Sequence, residues 1–413
     1  MRKVKIIGGA VTKFGRHLDR NMKSLAAEAV TGALEDAGIT KEQLQCAWVG
    51  NSVQGLFDGQ ESIRGQVVLS PLGIGGIPVI NVENACASSA TALNGAWAQV
   101  ALGEMDVALV LGMEKMFMTD KSKSLALFIG GTDVGMIPEI IKTFKKAQES
   151  LKEERGTKGD KEKVKRRSGA MDFYAIGARA HMKKYGSTQR QLAVIASKNH
   201  YHSTMNPLAQ YQKEFTVEEV LNDVEVAYPL TRAMCAPVGD GAAAAIICSE
   251  DFAKKVGTKH ITEIGACVLA SGETPQKDAK GTLTKLAEKA YEKAGLGPQD
   301  IDLAEVHDAT AFGELYTTES LLFCPEGEGG SFAEAGHSTL GGKLPINVSG
   351  GLESQGHPIG ATGIRQVVEL FWHLTNRVGK RQVEGAKVGL AQNAGGILAT
   401  GQPAALSVTI LKV

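Results

Sequence analysis

The stretch NVENACASSATALNGAWAQVALG, Asn81 to Gly103, decides how the rest of the chain is read. Ahead of it, Ile77-Pro-Val-Ile-Asn-Val82 reads as the end of a buried strand. A tight turn at Glu83-Asn84-Ala85 delivers Cys86, and the residues that follow are small: Ala87, Ser88, Ser89, Ala90, Ala92 and Gly95. A helix that small on every face belongs deep in a core, with other backbones pressed against it. Cys86 falls at its N-terminus, where free N–H groups and the macrodipole favour a thiolate. The pattern is the strand–turn–helix of a nucleophile elbow, although the residues are not Gly-x-Ser-x-Gly. A buried structural cysteine is the competing reading.

The chain around it has 413 residues, enough for a large core. Lys plus Arg and Asp plus Glu balance at 45 each, which argues against a general nucleic-acid or membrane-surface binder. Its 49 glycines against 12 prolines suit the close turns of a compact α/β core. The six cysteines are scattered with no C-x-x-C pair, which disfavours a zinc site and a disulfide framework and fits a reducing cytoplasm. The first apolar run is too short for a signal peptide, and no run is long enough to span a bilayer.

Val4 to Val11 reads as a strand, Ser24 to Ala37 as a helix stopped by Gly38, and Leu44 to Gly50 as the next strand. Ile63 to Leu69 reads as a short helix, and Val107 to Gly112 as a fully apolar strand. Strands alternating with helices imply a parallel sheet covered on both faces. The chain then repeats itself. Ala33-Leu-Glu-Asp-Ala-Gly-Ile39 recurs as Ala290-Tyr-Glu-Lys-Ala-Gly-Leu296. Asn81-Val82 and its small-residue helix are echoed by Asn347-Val348 and Gly360-Ala-Thr-Gly363, and the Val107 strand by Lys387-Val-Gly-Leu-Ala391. Three matches in one order indicate two similarly folded halves.

Between the halves, residues 141–167 carry eleven Lys/Arg against five Asp/Glu. A solvated helix and loop is the ordinary reading, and a basic rim for a polyanionic ligand such as a nucleotide phosphate is the sharper one. Gly239 to Ile247 reads as another buried strand. In the second half, Val306-His-Asp-Ala-Thr310 ends a strand, where parallel sheets put their ligands. His357 sits between Gly356 and Pro358 on a loop of fixed shape, a setting that also suits a purely structural histidine. Asn393-Ala-Gly-Gly396 closes the Val388 strand. Equivalent strand ends of two similar halves should converge, which brings Cys86, His307, His357 and the 393–396 loop together. A thiol, a base and candidate oxyanion donors at one point suggest acyl transfer through a thioester.

Taken together, Asn-Ala-Cys86-Ala-Ser, Gly112-Met-Glu-Lys-Met116, Asp240-Gly-Ala-Ala, His307-Asp-Ala-Thr, Gly-His357-Pro-Ile-Gly-Ala-Thr-Gly and Asn393-Ala-Gly resemble the thiolase superfamily over essentially the whole chain. The His-Asp loop and the segment Tyr174 to Tyr211 resemble its sterol-carrier-protein type. The resemblance implies an α/β fold with a five-layer αβαβα core. Residues 1–112 with 216–250 would form one half, 113–215 an inserted loop domain, and 251–413 the other half. It implies a homodimer that takes acyl-CoA and CoA, with coenzyme A as cosubstrate, no permanently bound cofactor and no metal at the active centre. By motif, Cys86 attacks a 3-oxoacyl-CoA, His357 takes its proton, His307 holds the enolate oxygen, and the amides of Cys86 and Gly395 hold the acyl oxyanion. Met116 and Ser349 are the candidate substrate-binding residues.

Two positions depart from the family pattern. Asn393 stands where most thiolases carry a second cysteine, and Ala309 where related enzymes carry a cysteine in the His-Asp loop. An amide and a methyl group cannot move protons near neutral pH, so water, His307 or a carboxyl such as Glu314 is left as proton donor to the α-carbon. The branch without the second cysteine includes enzymes with a small zinc-ribbon/OB-fold partner subunit. Within it, the methionine-rich segment and Leu315 to His337 resemble benzoylsuccinyl-CoA thiolase most, and the lost thiols would suit a bulky, branched or aromatic acyl group. Acetoacetyl-CoA thiolase, a ketosynthase-like condensing enzyme, an aldolase subunit and a non-catalytic CoA-binding or scaffold subunit are the alternatives. Pro358 and Asp308 favour a thiolase over a ketosynthase, and retention of Cys86 disfavours the aldolase.

Overall fold

The computed structural model describes residues 1–118, 130–155, 169–274, 276 and 279–413. The strands are β1 (Val4–Val11), β2 (Cys46–Gly50), β3 (Val79–Val82), β4 (Val107–Glu114), β5 (Glu225–Ala227), β6 (Leu230–Thr231), β7 (Gly241–Ser249), β8 (Thr262–Ala270), β9 (Leu303–Glu305), β10 (Val388–Ile397) and β11 (Pro403–Lys412). β5 and β6 form a small ribbon. The other nine form one sheet in the order β3-β2-β4-β7-β1-β8-β11-β10-β9.

The middle of that sheet is its thinnest seam, because β1 and β8 pair only through Lys5–Glu263 and Ile6–Thr262. Outward from the seam, the two wings follow one pattern. β1–β7 and β8–β11 are antiparallel, β7–β4 and β11–β10 are antiparallel, and β4–β2 and β10–β9 are parallel. β3 adds a last parallel strand to the first wing. In the second wing its counterpart is reduced to one parallel bridge, Ala304 to Ile346, so Asn347-Val348 lies where Asn81-Val82 does. The sequence repeat is thus a repeat of topology.

Alternation along the strands sorts the apolar residues into layers. On β4, Ala108 and Val110 face a central core, while Val107, Leu109 and Leu111 face an outer one. The Met22–Ala37 helix covers the outer face of the first wing and the Thr282–Ala294 helix that of the second. Between the wings lie the Ser88–Leu102 and Thr362–Leu374 helices, whose Leu93 and Phe371 are fully buried. Each such side chain contributes about 1.5–3 kcal/mol by leaving water. Helix, sheet, helix pair, sheet and helix make the five layers.

The smallness of Ser88–Leu102 has a direct cause. A Cβ on Gly363 would come within 2.6 Å of the Ala90 amide nitrogen, so the first turns of the two central helices meet backbone to backbone. That contact draws the Cys86 turn and the His357 loop together.

The segment Ile77–Val82 differs from the sequence expectation. β3 is the open edge of the sheet, with Asn81 exposed and Val79, Ile80 and Val82 half-buried. Four apolar residues look alike at an edge and in a centre. The inserted segment supplies helices Ile137–Arg155, Gly169–Tyr185 and Gln189–Ser203. Ala175, Ala178 and Leu192 pack on Ala311 and Leu315 of the Ala311–Ser320 helix. In the basic stretch 141–167, Lys142, Lys145 and Lys146 are exposed, and residues 156–167 lie outside the described residues. Among the described residues, no helix is long and apolar enough to cross a membrane.

Candidate active site

The turn that carries Cys86 is built from local hydrogen bonds. Ala85 takes φ 49°, a left-handed conformation that costs a non-glycine residue of order 1 kcal/mol. The turn is held by Ser88, whose Oγ donates to the Ala85 carbonyl (2.6 Å) and accepts from the Asn84 amide (2.9 Å). Glu83 Oε1 accepts from the Ala85 amide at 2.6 Å. Residues Ala85–Ala87 form one tight helical turn that runs straight into Ser88–Leu102, with half-buried Cys86 in its middle.

Burial, more than the helix terminus, sets the protonation of this cysteine. Desolvation pushes the Cys86 thiol up to about 12, and the charges of Glu114 and then Glu83 act in the same direction against the backbone amide. The thiolate expected at rest from the helix N-terminus is therefore a thiol. Burial and His307 hold His357 well below its ordinary value, and burial and Arg365 bring His307 down to about 3, so both imidazoles are neutral.

The three groups meet. One donor atom from each of Cys86, His307 and His357 lies within 4.8 Å of the others, and the imidazole rings stand edge to face at 5.2 Å. The tautomer of His357 follows from its neighbour. Thr362 Oγ1 donates to the Pro358 carbonyl (3.1 Å), so it accepts from His357 Nδ1–H (2.8 Å) and Nε2 keeps its lone pair. His307 is fixed through its backbone, whose N–H donates to Gln392 Oε1 at 3.0 Å, and its Nδ1 is buried with no hydrogen-bond partner.

Gly395 stands against the nucleophile turn. A Cβ there would run into the Asn84 carbonyl oxygen and the amide nitrogens of Cys86 and Ala87, so only glycine lets β10 approach this closely. Asn393 is buried beside it, its Nδ2 donating to Gln366 Oε1 at 2.8 Å. Met116 packs with Val53, Phe57 and Ile359 in an apolar cluster that Cys86 and Met118 touch.

Two expected residues turn elsewhere. Ser349 is fully buried in the Glu305–Arg365 ion pair, donating to Glu305 Oε2 (2.6 Å) and accepting from Arg365 Nη1 (2.8 Å), which leaves it no face toward a substrate. Glu314 is held by Lys198 (2.8 Å), Asn199 (3.0 Å) and Asn347 (2.8 Å), a structural network that leaves it no role as proton donor to a ligand.

Three residues join the site that the sequence reading did not single out. Glu114 is fully buried and accepts from Asn51 Nδ2, the Ser52 and Val53 amides and the Gly360 amide (3.0 Å), tying the end of β4 to the His357 loop. Burial outweighs those donors and raises its carboxyl to about 7. Glu114 and Thr362 both lie inside quoted motifs, a signal that was present in the sequence. Gln366 had no such signal.

Known proteins agree with this architecture. The family model described as thiolase, N-terminal domain, matches residues 4–251, and the thiolase C-terminal domain-like model matches 276–408. Acetyl-CoA acetyltransferase of Methanothermobacter thermautotrophicus is 37% identical, covering 99% of this chain and 99% of the relative. Sterol carrier protein 2 of Bos taurus is 38% identical over 95% of this chain and 70% of its own length. Benzoylsuccinyl-CoA thiolase subunit BbsB of Thauera aromatica is 35% identical over 93% and 92%. Among solved structures, the Ltp2-ChsH2(DUF35) aldolase superposes with a TM-score of 0.75 at 21% identity, covering 98% of this chain and 97% of that one. Human mitochondrial 3-ketoacyl-CoA thiolase in complex with CoA does so at 0.70 and 19%, covering 100% and 98%. With both halves matched and full-length relatives above 30% identity, the chain belongs to the thiolase family of acyltransferases.

Proposed function

We propose that this chain is a CoA-dependent thiolase that cleaves a 3-oxoacyl-CoA through an acyl-enzyme on Cys86. The observation that carries the reading is the meeting of one thiol and two neutral imidazoles within 4.8 Å, with His357 Nε2 left free by Thr362. His357 takes the thiol proton as sulfur attacks the 3-keto carbon, so no resting thiolate is required. The bond to the α-carbon then breaks, and its electron pair passes into the enolate of the departing acyl-CoA, whose oxygen His307 holds through Nε2–H. The acyl group stays on Cys86 with its carbonyl oxygen toward the amides of Cys86 and Gly395. Free CoA finally takes the acyl group. We read the three donors as nucleophile and bases rather than as a metal centre, because an acyl-transfer thiol must stay free to attack. The CoA complex of a solved relative supports coenzyme A as cosubstrate.

Ala309, smaller than the thiol it replaces, supports a bulky, branched or aromatic acyl group of the benzoylsuccinyl-CoA kind. A second reading rests on the apolar cluster at Cys86. Val53, Phe57, Met116 and Ile359 are close-packed there, which favours an acyl group as small as the acetyl of acetoacetyl-CoA. The test is CoA-dependent cleavage of both substrates by the full chain and by Cys86→Ser. Cleavage should fall at least ~1,000-fold in the variant. Near-native cleavage by Cys86→Ser would sink the acyl-enzyme.

The division into 1–112 with 216–250, a 113–215 loop domain and 251–413 belongs to the same reading. So does a homodimer, supported by the open edge of β3. A zinc-ribbon/OB-fold partner is supported by the DUF35 component that the name of the solved aldolase carries, and by the word subunit in the name of BbsB. Six free cysteines support a cytoplasmic setting.

A further inference from the structure

Among the described residues, two buried polar atoms at the site have no partner, and their residues are neighbours where β9 leads past β10. The parallel register of β9 on β10 runs from Leu303–Gly389 to Glu305–Ala391. Carried on by two residues, it sets His307 beside Asn393 on the sheet face that looks toward the central helices. Past the last ladder pair the chain turns, with the Asp308 N–H on the Val306 carbonyl (3.1 Å), while the His307 N–H to Gln392 Oε1 bond (3.0 Å) keeps it against β10. Exposure is 5% for His307 and 2% for Asn393.

The orientation of the Asn393 amide is forced by its neighbour. Gln366 Nε2 donates to the carbonyls of Glu305 (3.3 Å) and Gln392 (2.9 Å), so Gln366 Oε1 must be the acceptor. Asn393 meets it with Nδ2 (2.8 Å), which leaves Asn393 Oδ1 as a buried acceptor with no partner among the described residues. His307 Nδ1 is the second unpartnered atom. If His307 points Nε2–H at the enolate oxygen, as in the function proposed above, Nδ1 is also an acceptor. Two adjacent acceptors call for a group with two donor hydrogens, and an unpaired buried acceptor costs about 1–3 kcal/mol. A thiol offers one hydrogen; water offers two.

We propose that Asn393 Oδ1 and His307 Nδ1 together hold one water molecule, and that this water protonates the α-carbon when the C–C bond breaks. When the bond breaks, the water turns one of its two hydrogens from Asn393 Oδ1 to the α-carbon, and the electron pair of the broken bond takes that proton and forms the new C–H bond. The hydroxide left behind takes the proton that His357 received from Cys86, and water is restored. The net change moves the thiol hydrogen to the α-carbon, with no other reactant. Asn393 is a positioning residue in this step. Water is acid enough to quench a thioester enolate and far too weak a base to remove a proton from acetyl-CoA. The arrangement therefore serves thiolysis while leaving α-proton exchange slow.

The experiment separates this step from acyl transfer. Exchange of acetyl between acetyl-CoA and labelled CoA needs the Cys86 acyl-enzyme but breaks no C–C bond. Thiolysis of acetoacetyl-CoA needs both. In Asn393→Ala, thiolysis kcat should fall roughly 10- to 100-fold with KM nearly unchanged, while CoA exchange stays within about twofold of the original. In Asn393→Cys, deuterium should enter the methyl group of acetyl-CoA from heavy water faster than in the unmodified chain. Unchanged thiolysis in Asn393→Ala overturns the proposal, and so does an equal loss of exchange in a variant that still melts cooperatively. If Asn393→Ala does not fold, the cysteine variant decides: deuterium entry no faster than in the unmodified protein rejects the water. Absence of CoA exchange in the unmodified chain is a different failure, that of the acyl-enzyme itself.

Discussion

At the scale of single residues, Cys86, the nucleophile of the proposed reaction, is a thiol that holds its proton tightly. The helix terminus and the desolvated turn pull in opposite directions, and desolvation, the largest effect, wins, with the charges of Glu114 and Glu83 adding to it. A thiol raised to about 12 has a checkable consequence. Its thiolate fraction grows tenfold per pH unit straight through the ordinary cysteine range near ~8.5, where a solvated thiol begins to level off. The rate of iodoacetamide labelling at Cys86 should therefore keep climbing from pH 7 to pH 10, read by mass spectrometry of the labelled peptide. A plateau below pH 8 would show that the turn stabilises thiolate after all. That Cys86, His307 and His357 would meet beside Gly395 and Asn393 was legible in the sequence, because each sits in a turn or strand end whose residues admit few conformations. Ser349 and Glu314 were not. Sequence places a polar side chain on a loop but does not say which way it turns, and the buried cations Arg365 and Lys198 decided that.

At the scale of elements, the site depends on two helices touching at their first turns. The small first turns of Ser88–Leu102 could be read directly, since Ala, Ser and Gly on all faces leave room for other backbones on every side. What they touch could not, because Gly363 lies far away in sequence and its partner, Ala90, is one more small residue in a row of them. The edge position of β3 was missed for a related reason: position in a sheet depends on pairing, and pairing is not local. The helix contact predicts a particular kind of damage. Gly363→Ala puts a methyl group against the Ala90 amide, and the backbones must separate to admit it. Overpacking of this sort costs about 1–3 kcal/mol, which urea unfolding should reveal as a lower midpoint with an unchanged slope. The Cys86 turn hangs from one of these helices and the His357 loop from the other. Activity at low denaturant, where the variant is still fully folded, should then fall further than stability does. A variant with normal stability and normal turnover would mean that the contact does not set the geometry of the site.

At the scale of the molecule, the two wings share a pattern of strand directions but end differently. The second wing stops at the single bridge between Ala304 and Ile346, closed over by its own chain. The first stops at β3, a full strand with one side unpaired among the described residues. The duplication was legible because both copies kept the same small and apolar residues at the same spacing; this asymmetry was not, because it lies in what the second copy lost. An open, half-apolar edge invites another strand, and a second copy of this chain presents the same one. The direction of the backbone groups makes the idea testable. Ala47 and Asn51 donate to the carbonyls of Pro78 and Val82, so residues 78, 80 and 82 point their backbone toward β2. By the alternation of a parallel strand, Val79 and Asn81 point theirs outward. Val79→Pro removes an outward N–H while sparing the ladder to β2, and proline nearly matches valine in bulk. If two chains pair edge to edge through β3, the unmodified protein should sediment as a dimer and Val79→Pro largely as a monomer, with similar far-ultraviolet circular dichroism. A Val79→Pro protein that remains dimeric would place the subunit contact elsewhere and leave β3 free for a partner of another kind.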